Sequence, residues 1–172
     1  AEIQLAERAR LWHNTRPVYY EYVLEYPMSD NANLDMDLAS GMAAFEAKEF
    51  TRAKQFLSRY AEDGNVEAQH RMAIMYQNGL GLVKDEKQAF YWMQKAAEQG
   101  YSMAQHGLGF MYMHGECVDK NEAKAVKWFT RAAEQGLAGS AMTLGLMYEQ
   151  GLGVEKDTAK AQEWYKKSET ME

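Results

Sequence analysis

From Ala68 onward the apolar and small residues keep a helical rhythm. Ala68, Met72, Met75 and Tyr76 stand at i, i+4, i+7 and i+8, the stripe that one face of an α-helix turns towards a core. The same stripe returns as Ala104, Leu108, Met111 and Tyr112, and again as Ser140, Leu144, Met147 and Tyr148. After each copy comes a glycine-bearing stretch, NGLGLVKD, HGECVDKN or QGLGVEKD, and then a second apolar stripe through Ala89, Trp92, Met93 and Ala96 or its counterparts. Glycines at such points let the chain leave a helix through a left-handed backbone conformation, and Asp85, Asn121 and Asp157 are placed to cap the helix that follows. Each unit is therefore predicted to be helix, glycine loop, helix, ending on EQG, or on EDG in the earliest copy.

The units recur at a fixed interval. Gly64, Gly100 and Gly136 are 36 residues apart, as are Tyr76, Tyr112 and Tyr148, and likewise Gly79, Gly115 and Gly151. Lys84, Lys120 and Lys156 keep the same step, with Ala89, Ala125 and Ala161, and with Trp92, Trp128 and Trp164. A period of this length signals a solenoid of supersecondary units, each burying its apolar face on its neighbours. One position holds only Ala73, Gly109 or Gly145, so a second helix is expected to come close to the backbone there, where a larger side chain would overpack.

Upstream, residues 34–64 show the same logic with a shorter turn at Lys48-Glu49-Phe50. Gly41 takes the small position, and Ala53, Phe56 and Ala61 are in phase with Ala89, Trp92 and Ala97. This stretch resembles a tetratricopeptide-type hairpin. Four hairpins are thus predicted, at 34–64, 65–100, 101–136 and 137–172. The motif A-x-x-x-L-G-x-M-Y-x-x-G-x-G-V, followed by K-D, A, W and A-A-E-x-G, resembles the Sel-one-like repeat family, relatives of tetratricopeptide repeats. The resemblance is strong over roughly residues 65–169 and looser over 34–64. It implies an all-α fold, a right-handed α-solenoid of antiparallel helix hairpins, and an adaptor role, similar proteins being described in signalling and in bacterial envelope and host-interaction systems. Cys117 stands where the other copies have their second loop glycine, and the paired cysteines of the cysteine-rich secreted branch are missing.

Residues 1–33 do not follow the period. Their tyrosines and apolar residues between Pro17 and Pro27 predict a short helix over about 17–26, within an aromatic-rich helical cap. That segment is expected to cover the first hairpin, the competing reading being that it enters the groove of its own or a neighbouring molecule.

In a two-helix solenoid the first helices line the concave side, and the stripe opposite their buried face is unexpectedly apolar. It runs through Leu38, Met42 and Phe45, then His70, Ile74 and Gln77, then His106, Phe110 and Met113, then Met142, Leu146 and Glu149. Asp35, Glu46, Glu67, Asn78, His114 and Gln150 form its polar edge. Large apolar surfaces mark interaction sites, and methionine suits a surface that adapts to its partner. The predicted function is a non-catalytic scaffold that receives a protein or peptide along Met42, Ile74, Phe110 and Leu146. The competing reading is that curvature, or residues 13–33, closes over the stripe and makes it core.

Charge and composition narrow the field. The 172 residues carry a formal charge of −6, with Lys and Arg dispersed along the chain, which speaks against a nucleic-acid partner. No stretch approaches the roughly 18–20 apolar residues of a membrane span. The single cysteine precludes an internal disulfide. His70 and His106 occupy matched positions expected to be too far apart to share a metal, and His114, Cys117 and Asp119 do not have a zinc-site spacing. No nucleophile with a base can be assembled, so no catalytic residue, metal or cofactor is expected. A cell-wall-related enzyme or peptidoglycan-binding factor, as proposed for cysteine-rich relatives, is the alternative. The last helix, DTAKAQEWYKKS with Trp164, leaves a homodimer through that end open. The start at Ala1-Glu2 suits either a mature exported chain or a trimmed one, and a periplasmic or secreted location is expected ahead of a cytoplasmic one.

Overall fold

The structure, a computed structural model, describes residues 30–171. The cap and short helix expected over residues 1–33 lie outside the described residues, apart from the first turn of a helix that begins at Asp30. The chain divides into two compact units, Ala1–Asp37 and Leu38–Glu172. Of the first, only the opening turns of α1 are described.

Among the described residues there are eight α-helices and no strand: α1 Asp30–Glu46, α2 Phe50–Glu62, α3 Val66–Asn78, α4 Glu86–Glu98, α5 Ser102–His114, α6 Glu122–Glu134, α7 Ala138–Gln150 and α8 Thr158–Glu169. Odd and even helices pair as hairpins, and each hairpin stacks on the next as a solenoid, the all-α architecture that the 36-residue period implies.

The small position works as the sequence requires. A Cβ on Gly109 would meet three ring atoms of Phe129 at 2.8–2.9 Å, and one on Gly41 would meet Leu57 and Phe56 at 2.7–2.9 Å. At Gly145 it would collide with the ring of Tyr165. The bulky residue of each second helix thus lies directly on the backbone of the first. Around these contacts Ala68, Met72 and Met75 are buried, as are Ala104, Leu108 and Met111 and then Ser140, Leu144 and Met147. Tyr112 is buried with them, while Tyr76 and Tyr148 are half-buried at the edge.

The glycine loops are held in the same way in every copy. The backbone N–H groups of Asp85, Asn121 and Asp157 donate to the carbonyls of Tyr76, Tyr112 and Tyr148 at 3.0, 2.8 and 2.9 Å. Their side chains then accept the N–H of Gln88, Lys124 and Lys160 at 2.9–3.0 Å, which makes them the caps expected of them. Gly81 and Gly153 adopt φ of 67° and 69°, and a Cβ on either would press into the backbone of the preceding second helix, at Phe50–Thr51 and Glu122–Ala123. Cys117 holds this place in the middle copy with φ of 60°, a left-handed conformation that L residues adopt at a cost.

One recurring device was not foreseen from the sequence. Gln69 and Gln105 are buried near the start of their helices and donate to the carbonyls of Ala61 and Ala97, at the end of the preceding second helix, at 3.0 and 3.2 Å. Gln99 and Gln135, at the ends of α4 and α6, donate in turn to Gln69 and Gln105 at 2.8 and 2.7 Å. Each pair links three helices. The next copy has Ala141 and Met171 at the two positions, so the ladder stops there.

His70 lies in the seam between hairpins. It is 5% exposed, with its ring edge-on to Tyr101 at 5.4 Å and Arg71 beside it. Burial, and then the Arg71 charge, lower its pKa from 6.5 to about 4. It is neutral when folded and takes up a proton more readily when unfolded. Its contribution to stability is therefore present above pH 6.5 and is lost as the pH falls towards 4, by at most about 3 kcal/mol.

Two measurements test this packing. In urea unfolding, Gly109→Ala is expected to cost about 1–3 kcal/mol, because the Phe129 ring has nowhere to move. Gly107→Ala, whose Cβ would meet only the flexible Met93 thioether, is expected to be within about 1 kcal/mol of neutral. Across the pH range from 7 to 4.5, His70→Phe is expected to lose less stability than the wild type; identical pH profiles would mean that His70 is not the titrating group.

Candidate functional site

The residues of the expected stripe do not all face the same way. The outward column of the first helices runs through Glu67, Ile74 and Asn78, then Met103, Phe110 and His114, then Gly139, Leu146 and Gln150, with Met42 and Glu46 on α1. Its centre is the expected line of Met42, Ile74, Phe110 and Leu146. The three residues on α1 to the N-terminal side of Arg71, namely Leu38, Met42 and Phe45, are half-buried against the first core cluster.

The flanking positions lean into the seams. His70 is covered by Tyr101, and His106 meets the buried Ser140 through an Nδ1–Oγ hydrogen bond of 2.7 Å. Burial lowers the pKa of His106 as well. Gln77 reaches forward and donates to Glu116 at 3.1 Å. Met142 holds the equivalent of the two histidines on α7, where no described hairpin follows, and is 59% exposed. The physical reason is helical phase: positions 70, 106 and 142 lie one step round from the outward column, towards the next first helix. Glu149 is exposed and accepts from the Tyr165 hydroxyl at 3.0 Å.

The openness of the column differs along the molecule. Over α1 and α3 it is bridged by Arg71, which pairs with Glu46 at 3.1 Å and lies over the Phe45 ring at 5.0 Å. Over α5, Phe110 is braced by Phe129 at 5.3 Å and stacked on His114 at 5.7 Å, and Met113 is half-buried. Beyond them the surface is open and apolar: Met103, Met142 and Leu146 are 43%, 59% and 40% exposed. They are three of only five large apolar side chains with that much exposure among the described residues.

α8 is built differently from α4 and α6. Where those helices have Phe90 or Val126, Ala96 or Ala132, and Ala97 or Ala133, α8 has Gln162, Ser168 and Glu169. Trp164 stays half-buried under Lys167, which lies 4.4 Å from the ring centroid.

The chemistry-bearing side chains do not converge. Among the described residues no group of three His, Cys, Asp or Glu is placed to hold a metal. Cys117 is half-buried, and burial followed by the nearby Glu86 and Glu116 raises its thiol pKa, away from the reactive thiolate. His114 and Asp119 are both exposed. No helix among the described residues is long and apolar enough to cross a membrane.

Comparison with known proteins follows this geometry. The Sel1 repeat model matches residues 66–101, 102–137 and 140–170. A Sel1 repeat protein from Oxalobacter formigenes has a crystal structure similar to this one, with 34% identity and a TM-score of 0.74, covering 79% of this chain and 54% of that one. A protective antigen of uropathogenic Escherichia coli strains, displaying an SLR fold, is 37% identical with a TM-score of 0.75, over 80% of this chain and 30% of that one. The chain thus spans about half the length of the first protein and less than a third of the second. Cysteine-rich protein B of Helicobacter pylori, 17% identical with a TM-score of 0.53 over 83% of this chain and 91% of that one, shares the fold. No match was found among curated proteins. Three matched repeats, in register with the hairpins α3/α4, α5/α6 and α7/α8, place the chain in the Sel1 repeat family, whose members generally serve as protein-interaction scaffolds.

Proposed function

We propose that this chain is a non-catalytic scaffold that holds a peptide or partner helix against the outward face of its first helices, along Met42, Ile74, Phe110 and Leu146. The supporting observation is the exposure of Met103 and Leu146 in the outward column of α5 and α7, two of the five large apolar side chains that are this exposed among the described residues. Methionine and leucine side chains exposed together cost solvation, and a partner that covers them recovers it at roughly 25 cal/mol per Å2 of apolar area. The partly covered residues Phe110 and Met113 form a firm floor because Phe129 and the core around Leu108, Met111 and Leu144 support them. The arrangement has a surface to hold a chain and no converging groups to transform one.

Peptides selected from a random display library on the immobilised protein test the reading. Binding of the selected peptides is expected to weaken at least about tenfold in Leu146→Ser, equivalent to roughly 1.4 kcal/mol. The melting temperature should stay within a few degrees of wild type, because Leu146 is an exposed side chain. Selected peptides that bind Leu146→Ser and Met142→Ser as well as the wild type would place the binding surface elsewhere.

A further inference from the structure

The helical Lys and Arg of the solenoid are concentrated on one of its two sets of helices. From Leu38 onward, the first helices α1, α3, α5 and α7 contain one Lys or Arg, Arg71, and that one is already paired with Glu46. The same helices carry Glu67 and Glu149, both exposed, and the loop after α5 adds the exposed Glu116 beside Gln77. All other helical Lys and Arg of this unit are on α2, α4, α6 and α8. The helices that carry Met103, Met142 and Leu146 thus have no Lys or Arg of their own and one exposed carboxylate, Glu149, while the loop lysines Lys84 and Lys120 are paired with Glu86 and Glu122.

We infer that the segment received by this face is a basic amphipathic one: an apolar stripe of Leu- or Met-sized side chains flanked by Lys or Arg. The inference rests on the scaffold reading above and adds the chemistry of the partner. An amphipathic helix presents such a stripe at i, i+3 or i+4 and i+7, and its flanking cations come opposite Glu67, Glu116 and Glu149 when the stripe covers Met103, Leu146 and Met142. The opposite choice, an acidic segment, would bring like charges together at every one of these positions, which costs affinity and slows encounter. The second helices carry both signs: glutamates such as Glu98, Glu134 and Glu163, and cations that lie over aromatic rings, Lys95 on Tyr91, Lys124 on Tyr112, Arg131 on Trp128, Lys160 on Tyr148 and Lys167 on Trp164.

Three labelled helical peptides of roughly 18 residues test the inference by fluorescence anisotropy. They share one leucine stripe and carry Lys, Glu or Gln at all flanking positions. The wild type is expected to bind the Lys peptide at least about tenfold tighter than the Glu peptide at low salt, with the Gln peptide between them. The gap should narrow strongly at 1 M salt, where screening shortens the reach of charge to about 3 Å. In Glu67→Gln, Glu149→Gln the Lys preference should shrink while binding of the Gln peptide is kept. In Leu146→Ser all three peptides should weaken together. Equal affinity for the Lys and Glu peptides would overturn the charge inference and leave the scaffold reading intact. A Lys preference that survives Glu67→Gln, Glu149→Gln, or is unaffected by Leu146→Ser, would assign the binding to another surface and overturn the inference too. If none of the three bound, both readings would fall. Light scattering on the same samples covers the remaining occupant: a dimer that dissociates in Leu146→Ser would show the face to be taken by a second copy and would overturn the inference.

Discussion

The solenoid depends on one absence. In three of the four hairpins the second helix lays a bulky side chain on the first helix at a glycine: Leu57 on Gly41, Phe129 on Gly109, Tyr165 on Gly145. A glycine within a helix weakens it by about 1 kcal/mol relative to alanine. Full burial of an aromatic or aliphatic side chain against it gives roughly 1.5–3 kcal/mol, so the close approach is favourable overall. Once the two helices are that close, the loop between them has one short path, and its tyrosine carbonyl is in reach of the capping residue that ends it. The loop glycines then lie on the start of the preceding second helix, as Gly81 does on Phe50 and Thr51. A contact within one hairpin thus sets the contact between two.

The seams are held by different means. The paired glutamines connect the ends of second helices with the starts of first helices, deep enough that each missing hydrogen bond would leave a buried polar group unsatisfied. The histidines fill the remaining space where one first helix begins against the side of another. The outward column of the first helices is left partly uncovered along its length. The exposed face is thus a consequence of how the hairpins stack as well as of which residues occupy it.

The helical hairpins and their caps were legible in the sequence, because a three-fold repeat turns each structural requirement into three letters at a fixed interval. Ala73, Gly109 and Gly145 announce a close approach, and Asp85, Asn121 and Asp157 announce a helix start, whatever surrounds them. The glutamine ladder was not legible: Gln99 and Gln135 stand in an EQG ending, and Gln69 and Gln105 stand next to the apolar stripe without belonging to it. Nothing local marks a side chain whose partners belong to two other helices. The outward column was half legible: periodicity located Ile74, Phe110 and Leu146, but one step of helical phase separates an outward position from a seam position. His70 and His106 fall on the seam side of that step, where only the stacking of the next hairpin decides burial. The partition of charge between the helix sets was present in the sequence too, and became visible only once the structure sorted the helices by side.

That partition has two halves with different causes. On the second helices the cations have a role in the fold, since the periodic aromatic rings attract them, and ring-stacked Lys and Arg hold their own stems against the apolar seams. The scarcity of cations on the first helices has no such explanation. Met103 and Gln150 are exposed on this face, and lysine at an exposed helical position is neutral for stability. Packing therefore permits cations on this face and the sequence does not use them, apart from Arg71, which is neutralised by Glu46. What a cation there would disturb is an approaching positive charge, which is the physical content of a surface suited to a basic partner.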